Sequence, residues 1–211
     1  MLDVILSMLG GGIVSILTLV VNAIIEYKKD QNARNQKLYE TKRNNLTEKY
    51  TKLGKIINLF PNKSPNDIMK YIEQPPVYNL EKFIPIINSL NLRISYYEER
   101  LLDSDLELDE RHKLEEMKYD IENVFPEIKR IEQDYFRARN CYKNFCDTDK
   151  AFFDLYAGQK VRDSLVEFEV IIHNVFVSGM NAGESKDSKE NMIDSARRKL
   201  FDSMREDIGI H

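Results

Sequence analysis

The segment from Tyr135 to Phe145, YFRARNCYKNF, interleaves Arg137, Arg139 and Lys143 with Tyr135, Phe136, Tyr142 and Phe145, and Lys129 and Arg130 stand just before it. Aromatic rings stack on nucleobases, while guanidinium and ammonium groups neutralise phosphates. Lys129, Arg130, Tyr135, Arg137, Arg139, Tyr142 and Lys143 are therefore a candidate site for a nucleotide or oligonucleotide. The competing reading puts the aromatics in a core and pairs the basics with the acidic surface of residues 98–122. Arg197, Arg198 and Lys199 form a smaller basic cluster, suited to phospholipid or ligand but equally to a solvated helix face.

A second constellation lies near the amino end. Ser7, Ser15, Thr18 and Asn22 are polar residues within an apolar run, and at about 100° per residue they and Gly11 share an arc of about 80° on a helix. Small and weakly polar residues on one face let helices approach closely and hydrogen-bond to each other, and Asn22 facing lipid would leave a costly unsatisfied amide. The alternative is that Gly10, Gly11 and Gly12 reflect only the general tolerance of membrane helices for glycine.

Other chemistry is sparse. His112, His173 and His211 are far apart, and His173 sits in the apolar context VIIHNVF, which reads as a satisfied core histidine ahead of a metal ligand. The run Asp103, Asp105, Glu107, Asp109 begins like a calcium loop, but Leu108 stands where glycine is required and Leu114 where the last glutamate belongs. Phosphate-binding glycine loops and catalytic serine or cysteine signatures are absent, so no enzymatic activity, metal or cofactor is expected. The two cysteines, Cys141 and Cys146, do not make a disulfide framework and fit a reducing compartment.

The elements that must carry these residues begin with Val4–Ile25, 22 positions without a charge. At about 1.5 Å per residue such a helix spans roughly 33 Å, enough for a bilayer core. A cleaved signal peptide fits less well, because Asp3 replaces the usual basic residue and no small-x-small site follows. Residues 27–55 hold nine basic side chains against three acidic ones, which keeps that side in the cytoplasm. Continuing the heptad of positions 11, 15, 18 and 22 reaches Leu46, Tyr50, Leu53, Ile57 and Phe60, an apolar stripe. Between the two stripes the same face carries Lys29, Asn32, Gln36 and Arg43, too wet for a dry seam. The helices either splay there or surround water, or residues 27–45 form a solvated linker helix.

Beyond Pro61 the periodicity is helical throughout. Ser64, or Asn66 with Asp67, caps a short helix to about Glu73; Leu80–Leu102 reads as a helix with Pro85 near its first turn. Residues 103–105, DSD, cap a helix from Glu107 that is kinked or divided at Pro126 and ends near Phe145. Asp147 or Thr148 caps another to Val177, and a detachable amphipathic helix carries Ile193, Ala196, Leu200 and Met204. With 211 residues, 42% hydrophobic and 31% charged, the chain is foldable, and a net charge of −4 argues against a dedicated nucleic-acid coat. The expected fold is all-α: one N-terminal transmembrane helix continuing into a long cytosolic stalk helix, then a helical-bundle cytosolic domain. The expected boundaries are 1–26 for the span, 27–60 for the stalk, 61–178 for the domain, 179–191 for a linker and 192–211 for the last helix.

A short outer tail, one membrane helix, a basic stalk and a small helical cytosolic domain without catalytic motifs resembles, in layout, the membrane-effector subunits of bacterial antiphage defence systems. That resemblance implies a single-pass protein of the bacterial inner membrane, N-terminus outside and C-terminal domain cytoplasmic. It implies a homo-oligomer, here expected at four or more copies, whose cytosolic domains hold a pore shut or open under a nucleotide signal. Ser7, Gly11, Ser15, Thr18, Asn22, Lys29, Asn32, Gln36 and Arg43 are then the expected pore and oligomer interface. The opposing expectation is a membrane-anchored scaffold that recruits a cytosolic protein partner without conduction. In single-cysteine variants lacking Cys141 and Cys146, crosslinking between copies should peak at Gly11, Ser15, Thr18 and Asn22. A maximum at Ile13, Ile16 or Val20 would place the interface on another face.

Overall fold

Helix α1 runs from Leu2 to Ile57 as one element of 56 residues. The structure, a computed structural model, describes residues 2–183 and 191–210, with side chains from Asn22 onward. Among the described residues every regular element is helical. Two units divide the chain, Met1–Thr47 and Glu48–His211, so the second takes in the last turns of α1 where the sequence set the domain boundary at 61.

In the first unit every residue from Asn22 to Asn45 is exposed. The helix there is rich in Lys, Gln, Glu and Arg, which lose little rotamer freedom in a helix. Local bonds add to it: Gln36 Nε2 donates to Glu40 Oε1 at 3.2 Å and Thr41 Oγ1 to the Lys37 carbonyl at 2.8 Å. The expected membrane span lies, up to residue 21, outside the residues whose side chains are described. Among the described residues no helix is long and apolar enough to cross a membrane.

In the second unit the apolar stripe of α1 is buried, with Leu53 and Ile57 fully excluded from solvent. Helix α2 (Pro65–Met69) is shorter than expected, and its cap is Ser64 in a reciprocal box with Asp67. Asn66 does other work. Its Oδ1 accepts from the Tyr78 amide at 2.9 Å, and its Nδ2 donates to the Gly179 carbonyl, so one side chain ties two distant loops. A 3₁₀ turn, Leu80–Lys82, leads into α3 (Phe83–Leu101), which buries Phe83, Ile86, Leu90 and Tyr97. Ile84 is 70% exposed, and Ile86 takes the inward place.

Helix α4 (Leu108–Thr148) is continuous through Pro126, neither divided there nor ended at Phe145. Its inward residues Ile121, Val124, Ile128, Ile131, Tyr135, Ala138 and Phe145 keep one heptad phase across the proline. Pro126 itself is exposed, so the carbonyl it cannot serve is free to turn to solvent. The DSD segment is not the cap. Glu107 occupies that position without a side-chain bond, and Arg111 closes the loop by donating to the Leu101 and Asp103 carbonyls, each at 2.9 Å.

The single helix expected over 148–177 is two helices and a π turn: α5 (Lys150–Tyr156), α6 (Gln159–Ile172) and His173–Val177. Ala157 is extended (ψ 143°) and Gly158 follows with ψ 153°, which breaks the chain between α5 and α6. Residues 179–183, read as the start of a linker, are built into the fold. Gly179 has φ +82° and a Cβ there would lie 1.8 Å from the Tyr78 carbonyl oxygen, while Ala182 is buried and its amide donates to Asp67 Oδ2 at 3.0 Å. The remaining linker residues up to 190 lie outside the described residues.

Helix α7 (Met192–Asp207) packs along α6. Ile193, Ala196, Leu200 and Met204 are buried, and Ser164 meets Ser203 at 2.9 Å in the seam. Ser203 also donates to the Lys199 carbonyl, so Ser164 is the donor of that pair. Leu200→Ala should lower unfolding free energy by about 2–5 kcal/mol in a denaturant titration of the full chain. A helix free to leave would lose less than about 1 kcal/mol on the same change.

Candidate functional site

The candidate ligand residues divide along α4. Tyr135, Arg139 and Tyr142 follow at spacings of four and three, which puts them on one face. That face meets α6 and the π turn, and with Phe60, Phe168, Glu169, Ile172, His173 and Val177 the three line a cavity of about 240 Å³. Lys129, Arg130, Arg137 and Lys143 are exposed and lie outside it. Lys129 Nζ sits 4.3 Å from the Phe125 ring centroid, and Arg130 lies 3.7 Å from Glu127.

The aromatics of the segment serve mainly as core. Tyr135 is buried and stacks on Phe176 at 4.8 Å, and Phe145 is wholly buried against Phe153 at 6.0 Å. Phe145 is closed to a nucleobase, and Tyr135 has one face taken by Phe176. The basics, however, do not pair with residues 98–122, and among the described residues no hydrogen bond or ion pair engages Arg137, Arg139 or Lys143.

Tyr142 donates its hydroxyl proton to Glu169 Oε1. Burial first, and then the Glu169 carboxylate, push the phenol far above its ordinary ionisation range, so it remains a donor at any working pH. Burial also raises the Tyr135 phenol, an effect Arg139 opposes, and raises the Cys146 thiol. Both Cys141 and Cys146 are free thiols. Among the described residues no group of three or more His, Cys, Asp or Glu side chains is placed to hold a metal.

His173 is exposed at the cavity, not in the core as its apolar neighbours suggested. The inward face of α6, Leu165, Phe168 and Ile172, continues at spacings of three and four into Val175 and Phe176, and His173 falls beside it. The Ser178 amide bonds to the His173 carbonyl at 3.1 Å, five residues back, so each turn takes more residues than an α-helix. Phe60, Phe168 and Glu169 were also missed as site residues. The recurrence of 168, 169, 172 and 173 on one helical face was the available signal.

Of the expected pore residues, Ser7, Gly11, Ser15 and Thr18 lie outside the residues with described side chains. Asn22, Lys29, Asn32, Gln36 and Arg43 are all exposed on α1.

Within the second unit, two carboxylates hold the end of α1. Asp149, 7% exposed, accepts from Lys49 at 3.0 Å, from Lys52, and from Thr148 Oγ1 at 3.0 Å. Asp207 accepts from the Tyr50 hydroxyl at 2.5 Å and the Gly158 amide at 3.2 Å on one oxygen. Past the helix end, Arg197 donates to the Phe60 carbonyl at 2.8 Å and pairs with Asp194 at 2.6 Å, so it is a half-buried anchor and not a solvated cation.

The Lys52 and Lys49 bonds hold the Asp149 carboxyl down at about 2. A depressed native value means that the stabilisation is complete above the unfolded value of about 4 and disappears as pH falls through about 2. Between those limits the chain should lose stability on acidification more steeply than Asp149→Asn, read as denaturant midpoint against pH. Parallel acid limbs would remove Asp149 as the anchor. No protein-family model matches the chain, and neither does any curated protein or solved structure, so the reading of its function rests on its own residues.

Proposed function

We propose that the chain is an oligomeric single-pass effector of the bacterial inner membrane, forming a gated, anion-preferring pore controlled by its helical cytosolic domain under a nucleotide signal in antiphage defence. The observation that carries this reading is one register along one helix. Leu46, Tyr50, Leu53 and Ile57 are buried at the end of α1, with Phe60 just after it. The same heptad runs back through exposed Arg43, Gln36, Asn32 and Lys29 to the small-residue stripe of the apolar run. Every side chain from Asn22 to Asn45 is exposed, and helices in proteins draw most of their stability from burying a face. Neighbouring copies around an axis would supply that burial and turn a ring of lysines and a ring of arginines inward, which attract anions and repel cations. No catalytic step is part of the proposal.

The second reading, a membrane-anchored scaffold, is favoured by one feature of α3. Leu92 and Tyr96, a turn apart, are 71% and 56% exposed, which suits a cytosolic protein partner.

Reversal potentials of the purified full chain in planar bilayers under a salt gradient decide between them. The expected result is anion preference that weakens or inverts in Lys29→Glu with Arg43→Glu. Absence of current, or a selectivity those changes leave alone, favours the scaffold.

A further inference from the structure

The cavity on α4 has a chemistry more specific than its discovery through a basic, aromatic segment would suggest. Its volume of about 240 Å³ is below the roughly 300 Å³ at which drug-sized sites begin, so it admits one ring system and not a strand of nucleotides. Phe60 and Phe168, packed edge to face on each other with centroids 5.7 Å apart, give it one apolar wall. Glu169 has one oxygen committed to the Tyr142 hydroxyl, which leaves Oε2 as an acceptor that wants an N–H or O–H donor. Arg139 lines the same cavity, yet among the described residues it forms no ion pair, with Glu169 or with any other carboxylate. A cation and a carboxylate that share a cavity without neutralising each other suit a ligand that is anionic at one end and a donor at the other. His173 stands at the same cavity on a π turn, a distortion frequent at functional sites.

We infer that this cavity binds a single planar heterocycle bearing N–H donors on one edge and one anionic group, the chemistry of a purine nucleoside monophosphate, and that α1 senses its occupancy through Phe60. The ring lies against the Phe60 and Phe168 wall with its donor edge on Glu169, and the phosphate stays at the mouth on Arg139. Phe60 follows the last turn of α1 and its carbonyl is bonded to Arg197 of α7, so a ring seated against Phe60 bears on both helices. The inference rests on the cavity being the ligand site of the proposed effector, and it does not require conduction.

Isothermal titration of the full chain in detergent micelles tests it, with guanosine 5′-monophosphate as the probe and adenosine 5′-monophosphate, guanosine and inorganic phosphate as separate arms. The expected result is one saturable site for the monophosphate, at least tenfold weaker binding of guanosine, and no heat from phosphate alone at equal concentration. Arg139→Gln, a change at an exposed side chain, should weaken the monophosphate about tenfold while leaving guanosine unchanged. Glu169→Gln should weaken both, and melting temperature without ligand reports whether either variant has lost its fold. Hydrogen exchange across residues 48–57 should slow when the monophosphate is added. No saturable heat from the guanosine or adenosine monophosphate, or an affinity that Arg139→Gln leaves alone, overturns the site, and exchange unaffected by bound ligand overturns the link to α1. Binding without current would refute the pore and leave the site standing; current without binding would do the reverse.

Discussion

The last turns of α1 can bury one apolar face only if the charged residues on the same turns find partners at the edge of that burial. Tyr50, Leu53 and Ile57 go inward, and each such side chain contributes about 1.5–3 kcal/mol by leaving water. Lys49 and Lys52 lie beside them and are met by Asp149 at the junction of α4 and α5. Gly54 lets the Phe201 ring come so close that a Cβ would stand 2.8 Å from it. The seam is therefore fixed along its length by two carboxylates and in depth by a missing side chain. α5, α6 and α7 take their places from it, through Phe153 on Tyr50, Gly158 on Asp207 and Arg197 on the Phe60 carbonyl.

What the sequence disclosed follows from what periodicity measures. The stripe Leu46 to Phe60 and the inward face of α7 are both legible, because burial on a helix leaves a repeat of three and four. Periodicity names the face and not its partner, and so α7 read as detachable although Leu200 and Ser203 are sealed against α6. Pro126 misled in the opposite direction. The rule that proline interrupts a helix is a rule about one hydrogen bond, and on an exposed face that bond is dispensable.

The candidate site was half legible for a related reason. Tyr135, Arg139 and Tyr142 drew notice as an aromatic and basic segment, but a linear segment mixes the residues of several faces. The helix sorts them, sending Lys129, Arg130, Arg137 and Lys143 outward and bringing the other three to α6. His173 sorts by the same rule, since it stands one position after inward Ile172 and two before inward Val175. Ile172, Val175 and Phe176 around it are core residues; the histidine between them is not.

The join between the Asn66 loop and the start of the path to α7 passes through Gly179, whose backbone holds the conformation natural to mirror-image amino acids. Chirality therefore governs this position more than size or polarity does. Every other residue the genetic code can install there is left-handed in configuration and carries a carbon directed at the Tyr78 carbonyl. The route by which the chain reaches its last helix is open only to the one amino acid without handedness.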